Sequence, residues 1–157
     1  MSDLIEKSRT ATKDRLPLAA WSLRVLTSAG LAVDAVVHAH LVGRYDPNQG
    51  TAAVSQGDLF RVDAIVSGLL ALALLLSGRR VVWVAAWLVA ASGLGAMLLY
   101  RYHDPGALGP LPDMFEPLWF REKALAGVAE GVALVTATLG LLDHRRRSRR
   151  RAADPSP

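Results

Sequence analysis

The chain has 157 residues, enough for one domain, and 52% of them are apolar with a positive mean hydropathy of +0.26, which lies outside the usual range of water-soluble domains. Its formal net charge is +4 at pH 7 and it has no cysteine. The lack of thiols excludes disulfides, thiolate metal sites, iron–sulfur clusters, thioether-linked haem and thiol–disulfide relays.

Met1 to Pro17 is polar and of mixed charge, and residues 1–17 are expected to form a cytoplasmic N-terminal segment. The apolar run behind it is too long for a secretory signal and lacks a small-residue cleavage site, so the segment is expected to stay attached. Four apolar blocks follow, at 18–42, 59–77, 81–100 and 120–142. Each is close to the roughly 20 residues needed to cross about 30 Å of hydrocarbon at about 1.5 Å per residue. The fold expected is all-α, an integral membrane four-helix bundle over 18–142. The first block is the most polar, with Arg24, Asp34, His38 and His40. The tail, 143–157, carries the run Arg145 to Arg151.

Sidedness follows from the cations, because positive residues near membrane ends are retained in the cytoplasm. One side holds Lys7, Arg9, Lys13, Arg15, Arg79, Arg80 and the tail arginines, against Arg44, Arg61, Arg101, Arg121 and Lys123 on the other. Both termini are therefore expected in the cytoplasm, and the location expected is the plasma membrane, crossed several times. Tyr45, Phe60, Tyr100, Tyr102, Trp119 and Phe120 then cluster at the outer ends, where amphipathic rings prefer to sit.

The two outward loops resemble each other. Arg44-Tyr45-Asp46-Pro47 ends the first helix and Arg101-Tyr102-His103-Asp104-Pro105 ends the third; Phe60-Arg61-Val62-Asp63 opens the second and Phe120-Arg121-Glu122-Lys123 the fourth. This order predicts a duplicated helical hairpin, a parallel repeat with an approximate two-fold axis along the membrane normal.

Ionisable side chains inside a span are costly and normally face the bundle interior. Asp34 and His38 are four apart and share a face, while His40 points to nearly the opposite side. Asp63 and Ser67 share a face of the second helix. On the fourth, Lys123, Gly127, Glu130 and Gly131 form one stripe, with Gly127 and Gly131 as a GxxxG suited to close helix approach. Counted from the outer ends, Asp34 and Glu130 lie roughly 10–14 Å deep, and His38, Asp63, Glu122 and Lys123 within about 6 Å of the outer surface. The expectation is an outward-opening ligand-binding or proton-handling pocket of Asp34, His38, Asp63, Glu130, Glu122 and Lys123, rimmed by Arg61, Arg101 and Arg121.

Three readings of this layer stay open. The groups pair only to fix helix packing; or they line a cavity for a small polar or amphiphilic molecule; or one histidine with the carboxylates holds a divalent metal or another cofactor. No His-x-x-His or Glu-x-x-His motif is present. Haem would need His38 or His40 together with His103. No cofactor is predicted outright, with haem, quinone and a divalent metal kept as alternatives.

Other features are plainer. Asp46-Pro47-Asn48-Gln49-Gly50 lacks the later acidic ligands of a calcium loop and reads as an Asp-Pro turn. The third helix carries Ala90, Ser92, Gly93, Gly95 and Ala96, a small-residue packing pattern. The loop from Pro105 to Pro117 is expected to lie over the outer end as a lid. The arginine run has no interleaved aromatics, which suits anionic lipid headgroups and not nucleic acid.

From the second helix onward the layout resembles the DoxX-like four-helix membrane proteins. The likeness rests on Asp63 followed by Gly68, the Gly78-Arg79 turn, and a last helix that begins near Glu122 and ends in Gly140 and Asp143. The first helix, with Asp34, His38 and His40, departs from that pattern. The resemblance implies an accessory membrane subunit associated with quinone-linked oxidoreductases, without a complete active site of its own. The function expected is a non-enzymatic accessory, binding or small-solute transport component, within a membrane complex or a homo-oligomer. The alternative is a membrane subunit of a quinone-, haem- or metal-dependent oxidoreductase.

Overall fold

A computed structural model describes residues 2–153, with side chains described over 18–149 and at 153. The described residues form four α-helices: α1 Ser2–Tyr45, α2 Gln56–Leu76, α3 Arg80–Tyr102 and α4 Arg121–Ala153. Each is long and apolar enough to cross a membrane, over Leu18–Tyr45, Gln56–Leu76, Arg80–Tyr102 and Arg121–Arg149.

Local chemistry sets the helix ends. α2 starts earlier than the apolar block suggests because Ser55 caps it: the Ser55 hydroxyl accepts from the Asp58 backbone N–H at 2.9 Å, and the Asp58 carboxylate accepts from the Ser55 N–H at 3.2 Å, a reciprocal capping box. α1 stops before Pro47 and α3 stops at His103, ahead of Pro105, where the proline ring rejects a helical residue before it. Two ends lie beyond the apolar blocks. α1 includes residues 2–17, expected as a separate segment, and α4 continues into the arginine run, where Arg147 pairs with Asp143 one turn earlier at 2.7 Å.

α1 packs closely on both α2 and α4, α3 packs on α4 and more sparingly on α2, and α1 and α3 barely meet across the diagonal. The helices therefore run in order around the bundle, with successive helices as neighbours, as short connections dictate. The core is three layers. Leu74, Trp83 and Ala137 form one end; Leu31, Ala71, Ala86, Ala90 and Ala133 the middle; Val37, Leu41 and Ala126, flanked by Tyr45, Phe60, Met97 and Phe120, the other end.

At Gly30 the backbones of α1 and α4 come close together. A Cβ on Gly30 would stand 2.7 Å from the Ala129 carbonyl oxygen and 3.1 Å from the Ala133 Cβ. This corrects the GxxxG expectation: among the described residues nothing comes within 4 Å of a Cβ on Gly131, and one on Gly127 would meet only the flexible end of Met97. The small residue that lets two backbones meet is on the partner helix.

The distribution of polarity is inverted. Leu69, Val128 and Val36 are 62%, 66% and 69% exposed, while Asp34 and Glu130 are 2% exposed and Ser67 and Thr27 are fully buried. In water each exposed aliphatic would forfeit about 1.5–3 kcal/mol of burial free energy; against lipid tails it forfeits nothing. A hydrocarbon solvent accounts for both halves of this pattern, and the chain reads as a membrane protein.

Candidate ligand-binding cavity

The i,i+4 spacing of Asp34 and His38 puts both on the inward face of α1, between α2 and α4. The His38 Nδ1 lies 2.9 Å from Asp34 Oδ1 and 3.3 Å from Asp63 Oδ2 on α2. The same nitrogen is 3.1 Å from the Asp34 backbone carbonyl, and only that contact has hydrogen-bond alignment. Three oxygens thus surround one ring nitrogen, which carries at most one proton. Ser67, one turn after Asp63, donates its hydroxyl to Asp34 Oδ2 at 2.9 Å. The Phe60 ring meets the imidazole edge-on, with centroids 5.0 Å apart.

Glu130 reaches the same region from α4 and interacts electrostatically with Asp34, His38 and Asp63. Donors are too few for these carboxylates. Among the described residues, the buried oxygens Asp34 Oδ1, Asp63 Oδ2 and Glu130 Oε2 accept no hydrogen bond, and the buried Tyr100 hydroxyl has no hydrogen-bond partner. Native proteins leave few such atoms, and each asks for a ligand, a water or a proton.

A cavity of about 340 Å³ lies against this cluster, at the small end of the range for ligand sites. From the helices, His38, Asp63, Glu130 and Lys123 supply charged lining, and Leu41, Tyr45, Leu59, Phe60, Met97, Tyr100 and the adjoining Phe120 supply apolar and aromatic wall. The loop between α3 and α4 contributes Leu111, Met114 and Glu116. It is fastened over the bundle end by the Glu116 N–H donating to the Tyr100 carbonyl at 3.1 Å, by Asn48 Nδ2 donating to the Asp113 carbonyl at 3.1 Å, and by Lys123 Nζ donating to the Glu116 carbonyl. Pro112, within this loop, is fully buried.

Of the residues singled out from sequence, Asp34, His38, Asp63 and Glu130 come together, and Lys123 joins them at the wall. Glu122 is half-buried and does not line the cavity. The three arginines named as a rim do not line it either. Arg61 pairs with Asp58 at 2.6 Å and Asp46 at 3.3 Å on the surface, Arg101 lies over the rings of Tyr102 and Trp119, and Arg121 is exposed. His40 and His103 are exposed.

Sequence reasoning assigned Tyr100 to the interfacial belt and Gly93 to helix packing, and passed over Met97 and Glu116. The first three were detectable: Gly93, Ala96, Met97 and Tyr100 recur at helical spacing, so a single face of α3 carries them to the cavity. Glu116 had no such signal, since its place depends on how an irregular loop folds back.

Neither a family model, nor a curated protein, nor a solved structure matches this chain.

Proposed function

We propose that the protein is a non-enzymatic membrane component that binds a small amphiphilic molecule, with its apolar body between Phe60, Met97 and Phe120 and a hydrogen-bonding head at Glu130 and Tyr100. The observation that carries this reading is an apolar-walled cavity whose polar lining includes, besides Asp63 Oδ2 beside His38, two further buried atoms without hydrogen-bond partners among the described residues, Glu130 Oε2 and the Tyr100 hydroxyl. A head group bearing one donor and one acceptor answers both, and the aromatic walls take the chain that such a molecule would otherwise keep in lipid.

The cation distribution supports a cavity facing outward, with both termini in the cytoplasm and the arginine tail on anionic headgroups. Duplication of a helical hairpin is supported by the cavity: Phe60 and Phe120 hold matched places in the two hairpins, as do Asp63 and Lys123, and all four line it. The likeness to DoxX-like proteins favours an accessory role, beside a larger membrane complex or a second copy of the chain.

The test uses purified protein in lipid nanodiscs, titrated with medium-chain alkyl alcohols and amines and with the matching alkanes. Saturable thermal stabilisation by a head-bearing compound, absent for its alkane and weakened at least about tenfold by Tyr100→Phe or Glu130→Gln, is the expected result. Equal behaviour of alcohols, amines and alkanes would sink the reading. The second reading, a redox subunit, is favoured by the grouping of Asp34, His38 and Asp63; a Soret band or quinone recovered in stoichiometric amount would establish it instead.

A further inference from the structure

We propose that Asp34, His38 and Asp63 form a binding site for one divalent first-row transition-metal ion of the zinc class, set in the polar end of the cavity. The inference goes beyond amphiphile binding, because it uses a different set of atoms: the head group takes Glu130 and Tyr100, the ion takes the α1–α2 cluster.

The geometry is that of a partly closed coordination shell. Asp34, His38 and Asp63 each offer one ligand atom, and the three atoms lie within 4.8 Å of one another. Two of the edges are 2.9 Å and 3.3 Å. Ligands held about 2.0–2.2 Å from a zinc-class ion stand roughly 2.9–3.5 Å apart, between octahedral and tetrahedral edges. The donor set of one imidazole nitrogen and two carboxylate oxygens, without sulfur, suits zinc, manganese, iron(II) or cobalt(II).

A bare acidic cluster would carry no such conclusion, but here the oxygens are buried and lack donors. Asp34 is 2% exposed, and among the described residues neither its Oδ1 nor Asp63 Oδ2 accepts a hydrogen bond. The Nδ1 they crowd has one position to give. A proton placed there serves a single oxygen, and it is aligned with the Asp34 carbonyl; a modest turn of the imidazole aims the same lone pair between the two carboxylate oxygens, where a metal ion takes all three atoms together. It also neutralises two negative charges in a low-dielectric setting where unpaired charge is expensive.

The surroundings match those of ligands held in place. Ser67 occupies Asp34 Oδ2 and so fixes which oxygen is free, and Phe60 holds the imidazole plane. Such outer contacts orient metal ligands and affect affinity about 10–100-fold when removed. His38 and Asp63 both line the cavity, so the remaining coordination position is open to it, as in zinc sites that exchange a water for another ligand.

Full-length protein in nanodiscs is stripped with chelator and titrated with zinc alone, then loaded with manganese for pulsed EPR. Histidine occurs four times in the chain, so the variant His40→Gln/His103→Gln/His144→Gln leaves His38 as the sole imidazole. That variant is expected to bind one zinc per chain with wild-type affinity and to show nitrogen modulation from one imidazole on manganese. His38→Gln or Asp63→Asn is expected to weaken binding at least about 100-fold, and Ser67→Ala about tenfold. Absence of stoichiometric zinc or of the nitrogen signal in the triple variant overturns the site, and that readout stands even if His38→Gln does not fold. Unchanged amphiphile binding in Ser67→Ala with zinc weakened, or zinc retained in Tyr100→Phe with amphiphile lost, separates failure of one proposal from failure of the other.

Discussion

The Glu130 carboxylate of α4 occupies the space that a side chain at Gly93 of α3 would fill: a Cβ there would stand 2.2 Å from Oε1. The absence of a side chain at Gly93 thus makes room for the carboxylate. Because the obstructing atom is the far end of a flexible side chain, Gly93→Ala is expected to move the carboxylate and leave the helices in place. Alanine also gains up to about 1 kcal/mol of helix propensity over glycine, which offsets part of the displacement. A double-mutant cycle isolates the contact: Gly93→Ala in a Glu130→Ala background should be neutral or stabilising, with a coupling of about 1 kcal/mol between the two sites. Additive effects on unfolding in mixed micelles would mean that the two residues do not meet.

The crossing of α1 and α4 predicts a contrast between glycines. A methyl group at Gly30 meets the backbone carbonyl of Ala129, which cannot step aside without moving the helix, so Gly30→Ala should cost about 1–3 kcal/mol as overpacking does. Gly131→Ala meets nothing within 4 Å among the described residues and should be neutral or stabilising by up to about 1 kcal/mol. Unfolding midpoints of the two variants check this directly, and the reverse order would contradict the packing.

Arg24 explains a charge that lay inside the first apolar block without a partner in view. Its Nε donates to the Leu74 carbonyl at 3.0 Å and its Nη2 to the Leu75 carbonyl at 2.7 Å, capping the last turn of α2, which carries no basic residue of its own. A cation there satisfies carbonyls left open at the helix end and meets the negative end of the dipole. Arg24→Met, which keeps the apolar stem, is expected to lower stability by about 1–3 kcal/mol, and Arg24→Lys by less. Amide exchange should speed up selectively in the last turn of α2; uniform exchange across the bundle would rule out a local cap.

What the sequence made legible was whatever depends on period and solvent. Four apolar runs gave four helices, and the i,i+4 pairing of Asp34 with His38 placed both on one face regardless of tertiary detail. Asp63, His38 and Asp34 could be joined because a charge in hydrocarbon has few other places to go. Contacts set by the relative height and rotation of helices were not legible. Arg24 reaching Leu74 and Leu75, Gly30 against Ala129, and Glu116 folding under the loop all pair residues whose own neighbours in sequence give no sign of the partner. The partners of two outer arginines were hidden for a related reason: Arg61 pairs with Asp58 and Asp46, and Arg101 lies over two aromatic faces.

Sidedness gives the last prediction, and the lack of cysteine in the chain makes it direct. Ala107→Cys sits in the exposed loop between α3 and α4, and Ala153→Cys sits at the end of α4 on the opposite side of the bundle. If lysine and arginine retention sets the topology, a membrane-impermeant maleimide added to intact cells should label the first variant and spare the second until the membrane is permeabilised. The cavity lies at the α3–α4 loop end, with Leu111, Met114 and Glu116 in its wall, so the same labelling fixes which compartment supplies its ligand. Labelling of Ala153→Cys alone would turn the cavity inward and place the arginine tail outside, against the charge asymmetry from which the orientation was argued.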